Sequence, residues 1–122
     1  MDNYELLNKT FQVSPSIRYV GIFDAHGEKI TDSFSPGTLQ HLNIEEMHDS
    51  TRYDIKRWET YKKFQKQLGE TNFSMVKFDK AILLTFPHSN GAHIRVSIEP
   101  DTDYKEIIAK IENLLNRYPG SK

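Results

Sequence analysis

The stretch from Thr71 to Pro100, TNFSMVKFDKAILLTFPHSNGAHIRVSIEP, most narrowly limits what this chain folds into. Three apolar runs of strand length follow one another there, divided by two sets of turn residues, which predicts an antiparallel three-strand meander. In the first run Ser74, Val76 and Phe78 share one face and Phe73, Met75 and Lys77 the other, the period of two of a half-buried strand. Asp79 and Lys80 make a tight connection. From Ala81 to Phe86 only Thr85 is polar, so this strand is expected in the middle of a sheet with both faces covered, ending at Pro87. Asn90-Gly91 predicts a two-residue type I′ hairpin, because both residues tolerate positive φ. Beyond it Ile94, Val96 and Ile98 alternate with His93, Arg95 and Ser97.

The rest of the chain supplies a second hairpin and three main helices. Asp2 or Asn3 can cap a first helix carrying Tyr4, Leu7 and Phe11 on one side with Leu6 beside them, stopped by Ser14-Pro15-Ser16. Ile17 to Phe23 reads as a strand in which Gly21 marks a close approach to the backbone. Asp24 to Gly27 is a turn, and Glu28 to Phe34 returns as a weaker strand suited to a sheet edge. Asn43 with Glu46 forms a capping box opening a long helix, Ile44 to Leu68, closed by Gly69. Its apolar stripe is Ile44, Met47, Thr51, Ile55, Trp58, Tyr61 and Leu68. Asp103 with Glu106 caps a last helix bearing Tyr104, Ile107, Ile108, Ile111, Leu114, Leu115 and Tyr118, ended by Pro119-Gly120. The expected fold is one α+β domain over 1–122, a five-stranded antiparallel sheet in the order helix, strand, strand, long helix, strand, strand, strand, helix. Ile82, Leu84, Val96, Ile98, Val20, Ile22, Trp58 and Ile111 are its expected core.

That element order resembles the roadblock/LC7-like members of the profilin-like group, and the run Tyr19-Val20-Gly21-Ile22-Phe23-Asp24-Ala25-His26-Gly27-Glu28-Lys29-Ile30 is similar to their first hairpin. Tyr19-Val20-Gly21-Ile22, Phe34-Ser35-Pro36-Gly37, the long basic helix and Val96-Ser97-Ile98-Glu99-Pro100-Asp101 also resemble a family of short archaeal proteins of unassigned function. The likeness implies a small scaffold or regulatory domain and brings no catalytic residues with it.

Composition removes several chemistries. Cysteine is absent, which excludes disulfides, thiolate zinc sites and cysteine nucleophiles and fits a reducing compartment. No signal-like run opens the chain and no apolar stretch is long enough to span a bilayer, so a cytoplasmic protein is expected. Sixteen basic and seventeen acidic residues leave a net charge of −1, so attraction to polyanions must come from a local patch. No phosphate-cradling glycine loop, nucleophile elbow or His-Glu-x-x-His is present, and no catalytic or cofactor-binding residues are assigned.

Four constellations remain to be weighed. A two-residue turn would set His88 and His93 opposite one another, close enough for a metal, but with no third ligand they read more plainly as polar residues near a hairpin tip. Glu45 and His48 have the Glu-x-x-His spacing of carboxylate metal sites, which need two such motifs; one alone reads as a first-turn acid and a histidine. Glu99, Asp101 and Asp103 alternate as in a calcium loop but lack its glycine and distal glutamate. Arg52, Lys56, Lys63 and Lys66 fall within a narrow arc of the long helix, with Lys62 on its margin, a solvated face or a weak, sequence-indifferent nucleic-acid contact.

The preferred reading is a non-catalytic regulatory or scaffold module that binds protein and pairs with itself. Tyr53, Arg57 and Phe64 share a helix flank that the main stripe leaves uncovered, and the basic arc beside them offers a further contact. The alternative is a small-ligand sensor of the PAS kind with a pocket between helix and sheet. One continuous helical pattern between strands two and three, instead of several short helices, favours the roadblock type.

Overall fold

The computed structural model describes residues 2–38 and 40–117. The elements are α1 (Asn3–Phe11), β1 (Ile17–Phe23), β2 (Lys29–Phe34), α2 (Ile44–Lys62), α3 (Gln65–Leu68), β3 (Ser74–Lys77), β4 (Ile82–Pro87), β5 (His93–Ile98) and α4 (Tyr104–Arg117), with a short 3-10 turn at Ser89–Gly91. All strand pairs are antiparallel, in the order β2-β1-β5-β4-β3. The weakly apolar β2 lies at one edge and β3 at the other, so the chain's most apolar strands occupy the middle.

Alternation divides the sheet's residues between two layers. Val20, Ile22, Ile82, Leu84, Phe86 and Ile94 face one side and are fully buried under Leu6 and Leu7 of α1 and Ile107, Ile108, Ile111 and Leu114 of α4. Each such side chain contributes about 1.5 to 3 kcal/mol by leaving water, and this layer is the principal core. All eight expected core residues are buried. Tyr19, Gly21, Phe23, Thr85, His93 and Arg95 face the other side, where Thr51, Asp54 and Trp58 of α2 meet them.

Local chemistry sets the helix starts. The Asp2 carboxylate accepts from Glu5 N–H at 2.8 Å, and Asp103 accepts from Glu106 N–H at 3.2 Å. At α2 both halves of the capping box form, Glu46 N–H to Asn43 Oδ1 at 2.8 Å and Asn43 N–H to Glu46 Oε1 at 3.0 Å. In the first hairpin the Asp24 carboxylate accepts from Glu28 and His26 N–H groups, which hold it below the usual carboxylate range.

Several expectations are corrected. The long helix does not run to Leu68: it ends at Lys62, Phe64 adopts φ −102°, ψ 7°, and α3 is a separate turn. Every side chain from Lys62 to Glu70 is exposed, so no tertiary contact holds the helix together past Tyr61. The stripe drawn from Ile44 to Leu68 is therefore buried only in its middle, Ile44 being 70% and Leu68 82% exposed. In α1, Tyr4 points outward and Thr10 takes its place in the core, its hydroxyl donating to Leu6 O at 2.7 Å. The second meander turn is a three-residue loop, not a two-residue one, with Asn90 at φ 60° and Gly91 at φ 75°. Tyr118 and the Pro119-Gly120 stop lie outside the described residues.

Candidate functional site

The layer between α2 and the sheet is where polar chemistry concentrates. Arg95, central in β5, reaches up to the helix: Nη1 donates to Thr51 Oγ1 at 2.6 Å, and Nη2 donates to Ser50 Oγ at 2.9 Å and lies 3.1 Å from Asp54 Oδ2. Thr85, the one polar residue of β4's apolar run, donates to the same carboxylate oxygen at 2.9 Å. Arg57 approaches the other oxygen of Asp54 at 3.8 Å, so one buried carboxylate faces two guanidiniums. Burial pushes the Arg95 guanidinium below its usual value, and Asp54 opposes that push. On β1 the Tyr19 hydroxyl donates to Asp32 at 3.1 Å; burial, reinforced by that carboxylate, raises the phenol well above its ordinary value.

The helix covers this layer unevenly. Thr51, Asp54 and Trp58 are buried, and Trp58 Nε1 donates to Ser74 Oγ at 3.2 Å while its ring meets His93 edge-on at 5.1 Å. The first turn of α2 is covered less, Ile44 being exposed and Met47 half-buried. Between Met47 and Ser50 of α2 and the floor made by Leu83, Arg95 and Ser97 is a half-open cleft of about 1030 Å³, with Tyr19, Phe34 and Leu42 on its walls. A smaller space of about 170 Å³ continues under α2 toward β3, past Ser50, Asp54 and Arg57.

The residues singled out in the sequence are scattered by comparison. Pro87, not His88, stands opposite His93, and His88 N–H donates to Ala92 O. The one-residue slip sends the two imidazoles to opposite faces, so they do not form a pair. Among the described residues no group of three or more histidines and carboxylates could hold a metal. Glu45 and His48 are exposed in the first turns of α2; Glu99 pairs with Arg18, and Asp103 is spent as a cap. Tyr53 is 64% exposed, with the Arg57 guanidinium 5.7 Å from its ring centre. Phe64 is half exposed at the break beyond α2. Arg52 and Lys56 lie on α2, Arg52 pairing with Asp49, whereas Lys63 is its C-cap and Lys66 belongs to α3. The break divides the expected basic arc.

Sequence reading missed Asp54, Arg95, Ser50 and Thr85. The available signal was the polar interruption itself: Arg95 and Thr85 stand mid-strand, and Asp54 lies between Thr51 and Trp58 on the buried stripe.

No family model matches the sequence and no curated protein matches it. Solved structures do match its shape. A roadblock/LC7 domain from Streptomyces avermitilis superposes with a TM-score of 0.68 at 12% identity, over 97% of this chain and 98% of that one. The chain has the roadblock/LC7 fold. The gliding protein MglB of Thermus thermophilus aligns at TM-score 0.72 and 13% identity, covering 93% of this chain and 85% of its own. A similar profilin-like fold is seen in LokiProfilin1, solved in complex with rabbit actin, at TM-score 0.55, 10% identity, and 97% and 96% coverage.

Proposed function

We propose that this roadblock-like domain is a non-catalytic regulatory or scaffold module of the cytoplasm that acts by binding protein and pairs with itself. The observation that carries the reading is the uncovered α2 flank beside the open β3 edge. Tyr53 and Phe64 are exposed on or beside the helix and Phe78 just past the strand on the same side of the sheet, whereas Phe73 and Met75 are exposed on its opposite face. A two-fold axis beside α2 would bury this side against its mate in an isologous contact. Lys77 on β3 discourages pairing through the strand alone, so the helix flank with Tyr53, Arg57 and Phe64 is the preferred contact. Arg52, Lys56, Lys63 and Lys66 then flank it as a site for an acidic partner. Support also comes from the fold's other carriers: one MglB structure is described as tetrameric, and LokiProfilin1 was solved with actin.

Light scattering across a dilution series tests this. A dimer that dissociates on Phe64→Glu or Tyr53→Glu but not on Lys77→Glu is expected. A monomer at high micromolar concentration would overturn the self-pairing, and a dimer broken only by Lys77→Glu would move the interface to the strand.

A further inference from the structure

The cleft under the first turns of α2 is not accounted for by a protein-binding role, and its chemistry is specific. Its volume matches the upper range of sites that bury small molecules, about 300 to 1,000 Å³. The floor is sheet surface that neither helix layer covers: Leu83 and Ser97 remain partly exposed where the neighbouring Thr85 and Phe23 are buried. Tyr19, Phe34, Leu42 and Met47 supply apolar walls.

Polar groups converge at the inner end. Ser50 Oγ accepts from Arg95, so its own hydrogen is free to donate, and no described residue accepts it. Thr51 differs, since its hydroxyl both accepts from Arg95 and donates to Met47 O at 2.9 Å. The Ser97 hydroxyl has no hydrogen-bond partner among the described residues. Beneath them two guanidiniums share the single Asp54 carboxylate, an excess of positive charge in a low-dielectric layer. At the rim Glu46 completes the capping box and Glu99 pairs with Arg18, while Asp79 is followed by Lys80 on the same wall.

We propose that this cleft binds a small amphipathic carboxylic acid, its carboxylate accepting from Ser50 and Ser97 beside Arg95 and its apolar body lying on Leu83, Tyr19, Phe34 and Met47. A carboxylate supplies the two acceptors the hydroxyls lack and offsets the uncompensated guanidinium charge. A neutral alcohol supplies neither in full, and a cation meets charge of its own sign.

Titration calorimetry with dodecanoate, dodecanol and dodecyltrimethylammonium tests the assignment. Dodecanoate should bind at one site, with dodecanol weaker by about tenfold and the cation weaker still. Ser50→Ala should narrow the preference for acid over alcohol while leaving alcohol binding unchanged. Ser97→Trp, which fills the floor, should abolish binding, and Leu42→Glu, on an exposed loop where folding is not at stake, should weaken all apolar ligands. No binding of dodecanoate at about 1 mM, equal binding of acid and alcohol, or binding indifferent to Leu42→Glu would each overturn the proposal. Phe64→Glu should leave dodecanoate binding intact, so failure of the self-pairing and failure of this site read out separately.

Discussion

Arg95 Nη2 lies 3.1 Å from Asp54 Oδ2, joining the central strand of the sheet to the middle of α2. Both side chains are 11% exposed, so neither charge can retreat into water when the other is removed. The helix is therefore held to this face as much by a polar clamp as by apolar burial. Asp54→Ala should cost about 3 to 5 kcal/mol, since it leaves the Arg95 guanidinium under the helix without its carboxylate. The double variant Asp54→Leu, Arg95→Met should recover most of that loss in urea unfolding, because an apolar pair has no desolvation penalty to meet. A double variant as unstable as Asp54→Ala would show that the clamp itself supplies net stability.

On the opposite face no such clamp is found among the described residues, and packing decides. Ile111 is fully buried in the centre of α4, against the layer that includes Val20, Leu84 and Val96. Ile111→Ala should cost about 2 to 5 kcal/mol in denaturant unfolding through lost transfer and a cavity. A loss near zero would mean that α4 does not hold the sheet.

The imidazoles give the fold a pH dependence of definite sign. Burial pushes His93 below its ordinary value of 6.5, Lys62 adds to the shift, Asp54 opposes it and Arg95 deepens it slightly. Burial alone lowers His88. Between the depressed folded value and the unfolded one the unfolded chain binds more protons, so stability is full above 6.5 and is lost as pH falls through the folded value. The thermal midpoint should fall as pH drops from about 7 to 5, and His93→Phe, which keeps an aromatic edge against Trp58, should remove part of that slope. A midpoint level across the window would contradict the burial of His93.

Elements set by local rules were legible in the sequence, and contacts between remote elements were not. β1 falls at Ile17–Phe23 as expected because alternation and flanking turns define it, and the Asn43–Glu46 box places the start of α2 to the residue. The end of α2 was not legible: no glycine or proline marks Lys62, and the helix stops where its contacts with the sheet stop. The hairpin failed by one residue because Asn-Gly also serves a three-residue loop with both positions at positive φ, and that residue separated the two histidines. Arg95 and Asp54 look like solvated charges in isolation. Only the order β1-β5-β4 beneath α2 brings them together.

Gly21 was read as a point of close approach, and what approaches is specific. A Cβ there would stand 2.7 Å from the Phe23 ring and 2.9 Å from the Tyr19 ring, its neighbours two residues away on the same face. The position pairs with Arg95 on one side and Asp32 on the other, so both rings fold over the backbone where the polar layer begins. Alanine is not opposed by backbone strain, since Gly21 is not among the positive-φ glycines; by itself the loss of unfolded-state freedom would make Gly21→Ala stabilising by about 0.4 to 1 kcal/mol. Two crowded rings reverse that sign. Moving Tyr19 breaks its 3.1 Å bond to Asp32 and its contact with Phe34, and overpacking of this kind costs about 1 to 3 kcal/mol. Gly21→Ala should therefore destabilise in urea unfolding, and the penalty should shrink when it is measured on a Tyr19→Ala background, because the coupling between touching residues is what the cycle isolates. A stabilised Gly21→Ala would mean that the rings swing aside freely and that the glycine is not required by them.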